Sequence, residues 1–231
     1  MTSALNPEPS NDRNLTNSSF RDSQPLLKEE LSDSQVAWSV ELTQLPQNVI
    51  QELHQATSKE EILTITVEEA RRFLECDRVV IYSLTEPSQG TVIAEAVIAG
   101  WTKTLGMTID DPCFESKCMD IYHNGRVKAF NNIYGAEIGK YYVEQLEQIE
   151  VKASLVAPIL QKGELFGLLV AQQCSQPRKW QPEEIECLSQ LATQAGLSLH
   201  NAQLLAESAR LKQQAETEAQ WTQYFTDATR H

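Results

Sequence analysis

The sequence predicts an α+β fold in which a central antiparallel sheet carries helices on one face. Four β-rich segments fall into two pairs, each joined by a short polar turn, and segments of helical periodicity stand before the first pair and after the second. Sheets of adjacent strands with the helices kept to one side are typical of α+β domains. With 231 residues, 41% of them hydrophobic, the chain is long enough for one such domain with extensions.

The chain divides into three predicted parts. Residues 1–40 are rich in Ser, Asn, Asp, Pro and Gln without sustained periodicity, a composition that buries too little apolar area to fold alone. We therefore predict a disordered N-terminal arm. The domain itself is predicted to cover residues 47–200, and residues 201–231 are predicted to be a helical extension.

Two helices are predicted to open the domain. The first contains Val49 and stops near Thr57, and the start of the second is marked by Ser58 and Glu61. This pair has the spacing of a capping box, in which the Ser hydroxyl accepts the amide at the third helical position and the Glu side chain reaches back to the cap amide. The buried face of the second helix is predicted to contain Ile62, Ile65, Ala70, Phe73 and Leu74.

The strand signals come in two pairs. Residues 78–84 and 91–98 flank the turn cluster Glu86-Pro87-Ser88-Gln89-Gly90, and residues 154–160 and 164–172 flank Lys162-Gly163. A short polar turn that contains Gly suits a β-hairpin. We expect all four strands in one sheet.

A long connection, residues 100–152, separates the two pairs and shows no regular periodicity. Such connections are usually functional or disordered, and the Trp, Phe, Tyr and Ile content of this one argues against disorder. We therefore predict an irregular segment that forms a ligand pocket on the sheet face opposite the helices.

The last predicted helix begins at Pro182-Glu183-Glu184, because Pro and acidic residues suit a helix N-terminus. Residues 202–219 continue it with strong helix formers and neither Gly nor Pro. The helix is therefore expected to extend beyond the domain. A seam of Leu204, Leu211, Ala215 and Trp221 is predicted to pair with a second copy, which gives a homodimer through these helices, or with the N-terminal helix. An ordinary amphipathic surface helix is the alternative.

Composition excludes several functions. A net charge of −13 argues against nucleic-acid and anionic membrane surfaces, since both need clustered Lys and Arg. Five cysteines without a signal peptide favour reduced thiols in the cytoplasm, and no apolar run approaches the roughly 20 residues of a membrane span. Any membrane anchor of a parent receptor is expected elsewhere. Cys76, Cys174 and Cys187 are predicted to be small core residues, and no His/Cys spacing predicts a metal site.

The segment Asp110-Asp111-Pro112-Cys113-Phe114 supplies the candidate cofactor residues. A thiol between an acid and an aromatic side chain, after an apolar segment that ends at Trp101, suits contact with an electrophilic, conjugated ligand. The alternative is an ordinary buried cysteine, which is usually inert. Further along the chain stand Gly125-Arg126-Val127 and Tyr141-Tyr142.

This region, together with residues 151–160 and 174–181, resembles the GAF domain of a cyanobacteriochrome, a bilin photoreceptor related to phytochromes. The resemblance covers about residues 49–200, and it implies a GAF fold. The form Asp-Xaa-Cys-Phe at residues 111–114 is similar to the signature of one subgroup, which implies that Cys113 adds reversibly to a phycocyanobilin-like bilin and that Asp111 contacts its pyrrole nitrogens. The residues expected at the bilin are Cys113, Asp111, Phe114, Trp101, Tyr122, Tyr141 and Tyr142.

The chain departs from the family at Tyr141-Tyr142, where the family normally has Cys-His. There the Cys anchors the bilin and the His stacks near its rings, whereas a phenol forms no thioether and does not titrate near neutral pH. We therefore expect a degenerate GAF domain, with the two phenol rings filling the pocket, that relays signals without a chromophore.

Residues 220–228 resemble the helical linkers between GAF domains of cyanobacterial methyl-accepting chemotaxis receptors. This resemblance implies a module of a longer chemotaxis or phototaxis receptor, with neighbouring GAF or methyl-accepting signalling domains as partners. The second functional hypothesis is a bilin photosensor attached through Cys113 alone. Two further hypotheses are a GAF domain that binds another small molecule and a GAF-fold thiol reductase that uses Cys113 and Cys118. The chain is expected not to be an enzyme.

Overall fold

A computed structural model describes residues 45–86, 89–110, 118–136 and 138–228 of the chain. The predicted disordered arm, residues 1–40, lies outside these ranges. So does the candidate cofactor motif, residues 111–114.

The structure contains one six-stranded antiparallel sheet with the order β3-β2-β1-β6-β5-β4. Its strands are β1 (Arg78–Glu86), β2 (Gln89–Val97), β3 (Thr108–Asp110), β4 (Lys128–Phe130), β5 (Ala153–Gln161) and β6 (Glu164–Gln173). The helices are α1 (Gln47–Gln55), α2 (Lys59–Leu74), α3 (Cys118–His123), α4 (Lys140–Gln148) and α5 (Pro182–Ala228), with a 3-10 turn at Ile133–Gly135. The predicted α+β class is confirmed.

Two local predictions are confirmed with one change. The Ser58 hydroxyl accepts the Glu61 amide at 3.2 Å, but the Glu61 carboxylate accepts the amide of Thr57, one residue before the cap. Lys162 and Gly163 form a two-residue hairpin turn with φ values of 55° and 81°. Two consecutive left-handed residues match the twist of the flanking strands, which is why Gly is favoured there.

The prediction of an irregular connection over residues 100–152 is wrong in part. This segment contains β3, α3, β4, the 3-10 turn and α4. The strands β3 and β4 have three residues each and add the two outer strands of the sheet. Alternation identifies a strand only over about four to eight residues, so the sequence pattern does not reveal β3 and β4.

The sheet separates two apolar cores. The first core lies between one sheet face and α1, α2 and α5, and it includes Leu53, Ile62, Val79, Ile81, Leu155, Leu169, Leu188 and Leu191. The second core lies on the opposite face, beneath the segment 100–152, which we call the covering segment. The sheet contributes to it Val80, Tyr82, Val92, Val156, Leu168 and Val170, whose surface we call the covered face.

Helix α5 belongs to both the body of the domain and an extension. Its last buried residue is Ala202, and the side chains of residues 203–225 are all exposed. At 1.5 Å per residue, its 47 residues span about 70 Å. Within the described ranges, no helix combines the length and apolar character that crossing a membrane requires.

Candidate functional site

On the covered face, the covering segment adds buried side chains to the second core. Strand residues alternate between the two faces, so every second residue of β1 and β6 points to it. From the covering segment, Ile109, Tyr122, Ile133 and Leu146 join the second core, and Ile133 is fully buried. The covering segment therefore lies, as predicted, on the face opposite α1, α2 and α5, and its own helices α3 and α4 correct the expectation that all helices share one face.

The predicted site residues that the structure describes differ in how far they are buried. Tyr122 is buried in the second core and Tyr142 packs partly buried against it, whereas the Tyr141 side chain is 55% exposed. Successive residues of a helix point about 100° apart, so α4 directs one of the two phenols to the core and the other to solvent. Trp101 is half-buried. Tyr141 therefore does not pack into the second core, whereas Tyr142 does, and the filling of a ligand pocket by phenol rings stays a prediction.

Asp111, Cys113 and Phe114 lie outside the described residues, so their bilin-binding role stays a prediction. The structure does show where the chain leads to them. Strand β3 pairs with β2 at the edge of the sheet and ends at Asp110, one residue before Asp111.

A buried guanidinium ties the two ends of the covering segment to the sheet. Arg78, the first residue of β1, is fully buried and donates to Gln172 Oε1 of β6 at 2.6 Å. It also donates to the carbonyl oxygens of Thr102 and Ile149, both at 2.7 Å. Thr102 lies near the start of the covering segment and Ile149 near its end, so one side chain fixes both ends.

Glu150 supports this arrangement from the solvent side. Its carboxylate accepts the Thr102 amide at 3.2 Å and the Thr102 hydroxyl at 2.9 Å, and its backbone has a left-handed φ of 65°. The two hydrogen bonds from Thr102, with a smaller contribution from the positive charge of Arg78, lower the pKa of Glu150. Thr102 is thereby held on both sides.

Sequence reasoning missed this cluster, although one signal was present. Arg78 has the same parity as Val80 and Tyr82 along β1, so strand alternation places it on the covered face. Its acceptors are separated from it by 24, 71 and 94 residues, and no local pattern predicts such partners.

Three thiols are in the core, as predicted. Cys76, Cys174 and Cys187 are buried. Burial raises the pKa of Cys76 to about 12 and the pKa values of Cys174 and Cys187 to about 11. Because the thiolate is the reactive form, these three cysteines are poor nucleophiles at neutral pH.

Three surface cavities formed by described residues, of about 330, 490 and 590 Å³, lie away from the covered face. Two lie between α2 and β2, and the third lies between the start of α2, the β5–β6 hairpin and α5. None of the three is lined by a member of the second core. Among the described residues, no group of three or more His, Cys, Asp and Glu side chains is placed to hold a metal ion.

An antiparallel sheet with α1, α2 and α5 on one face, the covering segment on the other and a terminal helix that leaves the body defines an α+β domain. The sequence matches the GAF domain family over residues 58–199. The chain therefore belongs to the GAF family, and within it the chain closely resembles the cyanobacteriochrome GAF domains.

A Synechocystis sp. (strain ATCC 27184 / PCC 6803 / Kazusa) protein described as a methyl-accepting chemotaxis protein is 41% identical over 169 residues, which are 73% of this chain and 17% of that protein. The chain thus spans only a small part of a longer relative. The blue-light absorbing form of the Thermosynechococcus elongatus PixJ GAF domain superposes with a TM-score of 0.63 at 33% identity, covering 72% of this chain and 96% of that domain. A far-red absorbing dark state with bound biliverdin IXα superposes with a TM-score of 0.62 at 30% identity, covering 68% and 97%.

Proposed function

We propose that the chain is a signal-relay module of a longer chemotaxis or phototaxis receptor. Helix α5 is the observation that carries the proposal. Its first half packs on the sheet through Leu188 and Leu191, and the same unbroken helix continues beyond Ala202 into solvent. A change in how α5 lies on the sheet is therefore transmitted to whatever follows it. The similarity to a longer chemotaxis protein supports the same role.

The proposed relay works without the usual bilin attachment. At the positions of the family's Cys-His pair, this chain has an exposed phenol at Tyr141 and a core-packed phenol at Tyr142. Neither supplies a thiol or an imidazole. We include in the proposal that the module catalyses no reaction itself and passes on changes from neighbouring domains.

A bilin photosensor attached through Cys113 is the second candidate. The Asp-Xaa-Cys-Phe motif favours it, as do structural neighbours that are light-absorbing states, one with bound biliverdin. In this reading Asp111 would accept charge-assisted hydrogen bonds from protonated pyrrole nitrogens, and Trp101 and Tyr122 would pack near the rings.

Co-expression with the enzymes of phycocyanobilin synthesis separates the two candidates. For the relay we expect folded protein without a covalent bilin, that is, without zinc-induced fluorescence after denaturing electrophoresis and without photoconversion. Cys113→Ala removes the candidate attachment, and Cys118→Ala is the matched control, a second cysteine of the same region. A photoconverting adduct that is lost in Cys113→Ala and kept in Cys118→Ala would replace the relay with the photosensor.

We also propose that two copies of the chain pair through the exposed half of α5. Leu197, Leu204, Leu211 and Phe225 fall on one stripe at multiples of seven residues and are 51%, 51%, 52% and 62% exposed. Glu218 occupies the stripe position between Leu211 and Phe225 and places a charge there. Four residues after Leu197, Leu204, Leu211 and Glu218 stand Asn201, Ser208, Ala215 and Thr222, which completes a 4-3 spacing. An Asn among the core positions of a coiled coil favours a parallel pair in register. In this proposed spacing Trp221 stands one residue before Thr222 and so flanks the seam, with its ring stacked 6.1 Å from that of Phe225.

Light scattering tests the pairing. Leu204→Glu combined with Leu211→Glu places four charges in the dimer seam, and each buried leucine lost removes about 1.5–3 kcal/mol of apolar burial. We expect the dimer to weaken by about 100-fold or more. Leu205→Glu is the control, since Leu205 is at least as exposed but lies one residue off the stripe. Equal dissociation by both variants, or a monomeric wild-type chain, would contradict the proposed pairing.

A further inference from the structure

The linker that leads into α5 is hydrogen-bonded to the covering segment through Asn131. Asn131 follows β4 directly, and its carbonyl oxygen accepts the Arg178 amide at 3.0 Å. Its side-chain Oδ1 accepts the Trp180 amide, also at 3.0 Å. Arg178 and Trp180 belong to the linker, residues 174–181, that connects β6 to α5. Asn131 therefore bridges the covered side of the sheet and the connection that leads into the output helix.

On the helix side, the linker is anchored firmly. The Arg178 guanidinium donates to the Leu74 carbonyl at the end of α2 at 2.6 Å, and it forms an ion pair with Glu184 in the first turn of α5. Glu184 also accepts the Gln181 amide at 2.8 Å. The Trp180 side chain is 4% exposed and belongs to the first core. A displacement of the linker therefore moves the first turn of α5 with it.

On the covered side, the residues next to Asn131 belong to the second core. Phe130 packs against this core from β4, opposite Ser154 of β5. Ile133 is fully buried in the same core, and its amide donates to the Lys152 carbonyl at 3.0 Å. A rearrangement of the second core therefore displaces the backbone on both sides of Asn131.

We propose that Asn131 couples the covering segment to α5, so that a change in the second core alters the stability of the first turns of the helix. The inference deepens the proposed relay and rests on it for its biological use, but the coupling is a property of this chain alone. Thermodynamic coupling of this kind requires that both sites bias one shared arrangement. The two hydrogen bonds of Asn131 provide the physical connection.

A double-mutant cycle read by hydrogen exchange tests the coupling in the full chain. Ile133→Val perturbs the second core mildly, and exchange is followed in residues 178–188, while the amides of β1 and β6 report global stability. In the wild-type background we expect Ile133→Val to speed exchange at the start of α5 by about 2- to 10-fold more than it speeds exchange in β1 and β6. In Asn131→Ala, which lacks the Oδ1 acceptor and keeps only the backbone hydrogen bond from Arg178, that additional effect is expected to shrink.

Two matched variants complete the design. Asn132→Ala removes a neighbouring Asn whose Oδ1 accepts the Tyr134 amide within the covering segment, and it should leave the coupling intact. Asn131→Asp keeps an acceptor at the same atom and should also retain it. An unchanged effect of Ile133→Val in Asn131→Ala would overturn the proposal. So would its absence in the wild-type background or its loss in Asn131→Asp. Bilin attachment and dimer formation are measured separately, so failure of the relay and failure of the coupling are distinguishable.

Discussion

Arg78→Met is expected to lower the free energy of unfolding by about 3–5 kcal/mol, because it leaves three hydrogen-bond acceptors without their donor. The guanidinium is fully buried and satisfies Gln172 Oε1 and the carbonyls of Thr102 and Ile149. Methionine fills much of the volume but donates nothing, and each acceptor left without a donor costs about 1–3 kcal/mol. The substitution also removes the desolvation penalty of the buried guanidinium, which offsets part of this loss.

Urea denaturation at neutral pH measures the effect, with the slope of the transition showing whether the covering segment has already detached in the folded state. Arg210→Met is the control, because Arg210 lies exposed on α5 and pairs with Glu207 on its own helix. Its transition midpoint should match that of the wild-type chain. Arg78→Lys keeps the positive charge, but all donors of lysine lie on one nitrogen, which cannot reach the three acceptors that the guanidinium reaches. It should therefore recover little stability. A midpoint for Arg78→Met equal to that of Arg210→Met would contradict the assigned role.

Arg78 also shows which parts of the fold the sequence predicts. The capping box at Ser58 and the Lys162-Gly163 turn are local, since their geometry depends on residues within a few positions. The start of α5 at Pro182 is likewise local and was predicted correctly. The hydrogen bonds of Arg78 join segments that only the completed sheet brings together, and strand alternation indicated its face without indicating its partners.

At the candidate site, the sequence likewise indicated the types of residue but not the directions of their side chains. Sequence motifs indicated which residues to consider, and the covering segment lies on the predicted face of the sheet. They did not distinguish Tyr141 from Tyr142, because the orientation of adjacent residues depends on how the nine-residue α4 lies on the core. Asn131 carries no pattern at all, since its role depends on the linker before α5, more than 40 residues further along the chain.

Gly196→Ala is expected to destabilise the domain by about 1–3 kcal/mol, the cost of inserting a methyl group into a filled contact. A Cβ at Gly196 would lie 2.2 Å from the Leu160 carbonyl oxygen and 3.1 Å from its carbon. Both atoms belong to the backbone of β5, so relief requires α5 to lift from the sheet. Helix propensity works in the opposite direction, since Ala in a helix interior is favoured over Gly by about 1 kcal/mol. A net loss would therefore show that the close helix–sheet contact outweighs propensity.

The matched control is Gly135→Ala, where a Cβ meets no heavy atom within 4 Å and the backbone φ is not positive. Its urea midpoint should stay close to that of the wild-type chain. Hydrogen exchange measures the effect on the helix itself. In Gly196→Ala the amides of the first half of α5 should exchange faster, while those of β1 and β6 keep most of their protection. If Gly196→Ala were as stable as Gly135→Ala, the cost of lifting α5 from β5 would not exceed the gain in helix propensity of about 1 kcal/mol. A helix held that loosely could not report the arrangement of the sheet to the residues beyond Ala202, and the relay would lose its mechanical basis.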